Sequence, residues 1–204
     1  NAPWLSVHEI TLAGAPVTAM RVSYVGELGW ELHLSSDHLV QVYEAIMENV
    51  REVGGCQFGS YALNAMRIEK GYHGWGADFG TEYTLFDAGL NRFANMKKGD
   101  FVGRSAVEAQ SAHEPEWDWI GLEITQDCPE PMGSDPILKD GEWVGFVTST
   151  SYGYRTGKHC VLGYVKRGSV DMDATCDVRV LGNLQSARRH SPHVYDPENL
   201  RLKG

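Results

Sequence analysis

Two short runs near the start of the chain alternate apolar and polar positions with a period of two. Residues 17–24 carry Met20, Val22 and Tyr24 on one face, and residues 30–34 carry Trp30, Leu32 and Leu34 on one face. The pattern predicts paired strands joined by the glycine-bracketed bend "SYVGELGWELH", 23–33. Ser35 or Ser36 then predicts a helix cap, because Leu39, Val40, Tyr43, Ile46, Met47 and Val50 recur at helical spacing and Gly54-Gly55 supplies a stop. A second helix is predicted over 60–70, "SYALNAMRIEK", ending at Gly71. The connection "GYHGWGADFGTEYTLFDAGL" that follows is rich in glycine and aromatics, and loops of that length usually carry function. A third helix is predicted over 103–112, with Ser105 as cap and Val107 packing inward.

The pattern changes at the polar, proline-containing joint "HEPEWD", 113–118. Beyond it lie "WIGLEI", a Pro/Gly-rich link through Pro129 and Pro136, "ILKDGEWVGFVTST" with a hairpin signal at Asp140-Gly141, "HCVLGYVKRG" and "TCDVRVLG". Short strands at this spacing predict a small β-barrel or sandwich. The expected fold class is α+β: an α+β part over residues 1–113, then a β-barrel domain over 114–204. No internal repeat links the two parts.

Composition narrows the function. At 204 residues with 42% hydrophobic positions, the chain can build a sizeable core. A formal net charge of -9 argues against a general nucleic-acid or anionic-membrane surface. No apolar run approaches the roughly eighteen residues that span a bilayer, and the opening "NAPWLSVHEI" has no secretory pattern. The expectation is a soluble protein of the cytoplasm, or of the mitochondrial matrix in a eukaryote, and the absence of an initiator Met suggests a piece of a longer chain. Cys56, Cys128, Cys160 and Cys176 form no C-x-x-C pair and read as reduced thiols, and the histidines show no metal-ligand spacing.

Glu27 sits in the bend between the first two predicted strands. The ordinary reading is a solvated turn acid. Against it stand Gly26 and Gly29, which allow close backbone approach, and the flanking rings of Tyr24 and Trp30, able to bound a flat heterocycle whose amino-substituted edge would donate to the carboxylate. Arg67 lies between Met66 and Ile68 on the second predicted helix, where a buried cation needs a partner. It either snorkels or pairs with Glu69 or another acid, or it serves as a fork for a ligand carboxylate. Trp75, Asp78, Glu82 and Tyr83 in the long connection read first as turn and capping residues. Thr148, Ser149, Tyr154, Arg155 and Lys158 in "GFVTSTSYGYRTGKH" offer donors to a phosphate or carboxylate, without a P-loop or Rossmann fingerprint.

"SYVGELGWELH" resembles the Tyr-Thr-Gly-Glu-x-Gly-aromatic-Glu signature of the glycine-cleavage T-protein (aminomethyltransferase) family, with Val25 in place of Thr. "ALNAMRIEKGYHGWGADFGTEYTLFDAGL" resembles the family's second signature, a helix ending Leu-Arg-x-Glu-x-Gly before a Gly-x-Asp loop and an acidic Ala-Gly-Leu turn. Together with "KKGDFVGRSAV", "GFVTSTSYGYRTGKHCVLGYV" and "YDPENLRLKG", they look particularly like the C-terminal part of dimethylglycine and sarcosine dehydrogenases or oxidases. Leu63 stands where stand-alone T-proteins usually carry a further Arg.

The resemblance implies a folate-dependent one-carbon module with tetrahydrofolate as its cofactor. Glu27 would hold the pterin, Tyr24 would border that pocket, and Arg67 would contribute to folate or its immediate shell. The family's catalytic Asp lies upstream of any matching position, so no catalytic residue is assigned. A small methylamine would be the substrate. FAD would belong to a missing N-terminal domain of the same chain, and the one-carbon unit would leave as methylenetetrahydrofolate. The alternatives are a stand-alone aminomethyltransferase or demethylase, and a folate-binding module without turnover.

Overall fold

A computed structural model describes residues 2–204. The chain is α+β and divides into two compact units: Asn1–Asn64 with Asp196–Gly204, and Ala65–Tyr195. This spatial grouping differs from a linear cut at residue 113: residues 65–113 go with the barrel, and residues 196–204 go with the N-terminal sheet.

The first unit holds three antiparallel strands, β1 (Val7–Leu12), β2 (Ala15–Met20) and β3 (Glu31–His33), in that spatial order. The predicted pairing across the bend is present, with Thr18 opposite His33, Ala19 opposite Leu32 and Met20 opposite Glu31. The buried face of β2 is Ala15, Val17 and Ala19, not the face of Met20. Directly opposed residues share a side of an antiparallel pair, so Leu32 is matched by Ala19 while Met20 lies with the polar Glu31. Ser35 caps a short 3-10 turn, Ser36–His38, through a contact from Asp37 N, and α1 (Leu39–Glu52) follows. Only Val42 and Met47 of α1 are buried; Leu39, Val40 and Tyr43 remain largely exposed. Val42 packs with Ala15 and Val17, joined by Leu32, Leu34 and Ile46.

The helix α2 (Ser60–Lys70) crosses from one unit to the other. It ends in a Schellman motif, with Gly71 N bonded to Ile68 O at 2.9 Å and Tyr72 N to Arg67 O at 2.9 Å, and with Gly71 at φ 70°. A side chain at Gly71 would also come within 2.6 Å of Pro192 O, so glycine is needed there for conformation and for space. Then comes α3 (Arg104–Ser111), preceded by Gly103 at φ 90°. Ser105 therefore lies inside the helix, not at its cap, and Val107 is half-buried.

Six strands close the barrel: β4 (Trp117–Ile124), β5 (Pro136–Lys139), β6 (Glu142–Gly153), β7 (Lys158–Lys166), β8 (Thr175–Val180) and β9 (Asn183–His190), in the order β4-β7-β6-β5-β8-β9. The Asp140-Gly141 hairpin forms as predicted, both residues at positive φ and Lys139 opposite Glu142. Ile120, Leu122, Ile137, Val147, Val161, Val165 and Val178 fill the interior. Strand β7 is buried on both faces, because Cys160 and Leu162 point outward and pack against Ile68 of α2. That contact seats α2 against the barrel wall. The last helix, α4 (Leu200–Lys203), belongs to the first unit.

Candidate functional site

In the first unit the bend carrying Glu27 is shaped by close backbone packing. A Cβ on Gly29 would lie 2.8 Å from Val22 O, so the two sides of the bend meet at a distance only glycine permits. Val25 N donates to Ser23 Oγ at 3.3 Å on the approach. This leaves Glu27 half-buried at the bend, with Tyr24 and Trp30 substantially exposed on either side. The structure therefore brings Tyr24, Glu27 and Trp30 onto one short segment. A hollow of ≈ 910 Å³ on the same unit is lined by Trp30 together with Val7, Ile10, Leu12, Leu32 and Ile46.

Behind the bend lies a residue that the sequence reading passed over. Arg21 is only 3% exposed. Its guanidinium donates to Gly29 O at 3.3 Å, to Leu202 O at 3.4 Å and to Lys203 O at 3.2 Å, and it stands 5.9 Å from the Trp4 ring centroid and 5.7 Å from that of Trp30. The available signal was its register: position 21 continues the buried series 15, 17, 19.

In the second unit Arg67 is 4% exposed and Asp78 is fully buried. One guanidinium nitrogen of Arg67 donates to Asp78 Oδ2 and, at 3.0 Å, to Tyr72 O; the other donates to Ser149 Oγ at 2.8 Å. Asp78 Oδ2 also accepts Gly74 N at 2.8 Å, and its Oδ1 accepts the Thr148 hydroxyl. Two residues further along α2, Glu69 is 1% exposed. Glu69 Oε1 accepts the main-chain N–H groups of Arg155 and Thr156, both at 2.9 Å, while Oε2 accepts Arg155 Nε at 2.7 Å. Arg155 in turn stacks over Tyr195 with its guanidinium carbon 3.7 Å from the ring centroid.

These contacts decide between the readings of the β6 segment. Thr148 and Arg155 donate to the chain's own carboxylates, Asp78 and Glu69, and the Ser149 hydroxyl accepts from Arg67, which pairs with Asp78. A buried ion pair is stable when its remaining donors and acceptors are filled, and here they are filled from the connection after α2 and from the barrel. Arg67 thus fixes the start of the Gly-rich connection to the barrel wall.

The same connection carries two aromatic stacks onto the barrel. His73 lies 3.7 Å from Trp119, centroid to centroid, and its Nε2 bonds Ala88 O at 2.9 Å; burial lowers its pKa to about 4, so the ring is neutral at physiological pH. Tyr83 stacks on the fully buried Tyr164 at 4.1 Å, and burial raises the phenol pKa of both. These rings are packing elements. Among the described residues no His/Cys/Asp/Glu group is arranged to hold a metal ion, and no helix is long and apolar enough to cross a membrane.

Comparison with known proteins places this architecture. Residues 1–98 match the family profile described as the GCVT N-terminal domain, and residues 118–196 match the glycine cleavage T-protein C-terminal barrel domain. The chain is 34% identical over 180 residues to the mitochondrial dimethylglycine dehydrogenase of Homo sapiens, covering 88% of this chain and 21% of that protein. It is 33% identical over 208 residues to the mitochondrial sarcosine dehydrogenase of Mus musculus, covering 98% of this chain and 22% of that protein. The chain thus spans about a fifth of the length of these relatives. The crystal structure of the glycine cleavage system aminomethyltransferase T from Bartonella henselae superposes with a TM-score of 0.86 at 20% identity, covering 97% of this chain and 54% of that one. The likeness in fold and the two matched domains agree: this chain belongs to the glycine-cleavage T-protein (aminomethyltransferase) family.

Proposed function

We propose that this chain is the folate-handling part of a flavin-linked demethylating enzyme, transferring the one-carbon unit of an N-methyl amine to tetrahydrofolate. One observation carries the reading: a half-buried carboxylate, Glu27, on a glycine-tight bend between two exposed rings, in a chain similar to dimethylglycine and sarcosine dehydrogenases. The donor set fits a pterin. Its amino-substituted edge presents adjacent N–H groups that a carboxylate accepts with charge-assisted bonds, and its flat ring matches the exposed faces of Tyr24 and Trp30.

Tetrahydrofolate, when bound, supplies the nucleophilic nitrogens. The protein's share is positional. Glu27 orients the ring, and Tyr24 and Trp30 bound it and exclude water. Arg67 has a structural part, holding the connection after α2 through Asp78. No residue here is assigned proton transfer. In this reading FAD belongs to a part of the enzyme outside these residues, which span about a fifth of the length of the dehydrogenase relatives.

The test uses the full-length protein with dimethylglycine and sarcosine, with and without tetrahydrofolate. The expected result is methylamine oxidation that releases formaldehyde without tetrahydrofolate and much less with it. Equal formaldehyde release in both conditions, with no tetrahydrofolate binding by calorimetry, overturns the reading.

A further inference from the structure

We propose that the segment Asp196–Gly204 is a strap that sets the geometry of the Glu27 bend, and that Arg21 is the positioning residue through which it acts. The inference rests on the reading of Glu27 as the pterin contact.

The argument begins with an unusual burial. Arg21 is 3% exposed, and a cation removed from water needs compensation. Its partners are carbonyl oxygens from two places: Gly29 O on the bend, and Leu202 O and Lys203 O at the end of α4. The last carbonyls of a helix have no intrahelical donor, so the fork of Arg21 satisfies groups that would otherwise need water. The rings of Trp4 and Trp30 add cation–π contacts to the guanidinium.

The strap is itself a defined structure. The Asp196 carboxylate accepts Leu200 N at 2.8 Å, Arg201 N at 3.2 Å and Leu202 N at 3.3 Å, which closes the N-terminal end of α4. Leu202 is 3% exposed and anchors the segment. At its end, a Cβ on Gly204 would lie 3.1 Å from Leu28 Cδ1 and 3.4 Å from an Arg21 guanidinium nitrogen, so the strap touches the residue next to Glu27 as well as the cation behind it. One guanidinium therefore joins the strap to Gly29, the position where the bend closes within van der Waals distance of Val22. A shift of α4 is transmitted to the bend through this side chain, beside the contact of Gly204 with Leu28, and to Trp30 through the same guanidinium.

This assigns residues 196–204 a role in binding that their distance in sequence from the bend conceals. The test is tetrahydrofolate affinity, by calorimetry on the full-length protein, for Arg21→Gln, Leu202→Ala, Glu27→Gln and the double variant Arg21→Gln/Glu27→Gln, with thermal unfolding of each. Arg21→Gln is expected to weaken binding by about tenfold, and Leu202→Ala in the same direction. Arg21→Gln adds little once Glu27 is already Gln, because the strap acts through that carboxylate. A merely structural role predicts additive losses, which would overturn the inference. If Arg21→Gln does not fold, Leu202→Ala paired with Glu27→Gln gives the same cycle from outside the bend. A loss in Glu27→Gln beside unchanged affinity in Arg21→Gln and Leu202→Ala overturns this inference alone. Unchanged affinity in Glu27→Gln removes the pterin reading and this inference with it.

Discussion

Glu69 and Arg155 form an ion pair of 2.7 Å in which the carboxylate is 1% exposed and the same arginine's main-chain N–H donates to the second oxygen. The turn between β6 and β7 is thereby wrapped around one side chain of α2, and Gly153 is the place that permits it: a Cβ there would lie 2.7 Å from Glu69 Cγ. Removing one partner of such a pair leaves buried donors unmatched. Glu69→Ala is expected to cost about 3 kcal/mol or more of stability. Urea unfolding measures it, and a cost below about 1 kcal/mol would contradict the burial argument.

Arg67 presents two nitrogens to acceptors on three residues, Asp78, Tyr72 and Ser149, in a fork that the single ammonium of lysine cannot match. Arg67→Lys is expected to lower stability by about 2 kcal/mol, and Arg67→Met with Asp78→Leu to be less damaging than either single change. A double-mutant cycle reads the coupling directly. Additive losses would mean that the pair does not act as a unit.

Within the bend, space and charge separate cleanly. Glu27→Gln keeps the shape and removes the charge, so tetrahydrofolate binding by the full-length protein should weaken by about 1.5–3 kcal/mol with unfolding little changed. Gly29→Ala adds a Cβ 2.8 Å from Val22 O, so it should lower both stability and affinity. Equal affinity in wild type and Glu27→Gln would remove Glu27 from the site.

The stability of the second unit should fall on acidification. His73 has a folded-state pKa of about 4 against an ordinary 6.5, because of burial, and burial lowers that of His193 too. Between those values the unfolded chain binds more protons than the folded one, so stability declines as pH drops from about 6.5 towards 4 and not further through this group. The His73 contribution is about 3 kcal/mol across that window. His73→Phe, which keeps a ring against Trp119, should flatten the acid side of the profile; an unchanged slope would show that folding does not lower the His73 pKa.

Thiol labelling should resolve the four cysteines by environment. Cys56 is exposed, whereas Cys160 and Cys176 are buried with thiol pKa values pushed up to about 11 by burial. The native protein should give rapid reaction at Cys56, slower reaction at Cys128, and reaction at Cys160 and Cys176 only on unfolding. Mass-spectrometric mapping after brief exposure to a maleimide checks this. Early modification of Cys160 would show that the α2 contact with β7 opens readily.

Local signals carried much of the architecture. The Asp140-Gly141 turn, the glycine stops after α1 and α2, and the alternation of the barrel strands each depend on residues close in sequence, so the conformation they favour is readable from a short window. The bend signature around Glu27 was legible for the same reason: Gly29 and Val22 meet within a few residues of each other.

What a residue binds across the fold was not local. Sequence alone placed Arg67 on a helix beside apolar neighbours and left its partner open; the closed barrel decided that it meets Ser149, 82 positions away, and that Asp78 occupies the fork. The register of β2 against β3 selected Ala15, Val17 and Ala19 as the buried face, and with them Arg21, whose carbonyl partners Leu202 and Lys203 lie 181 and 182 positions away. Short-range pattern determines which conformation a segment prefers. The partner that makes a buried charge tolerable is set by which distant segments the packed core brings within hydrogen-bond reach, and only the tertiary structure contains that information.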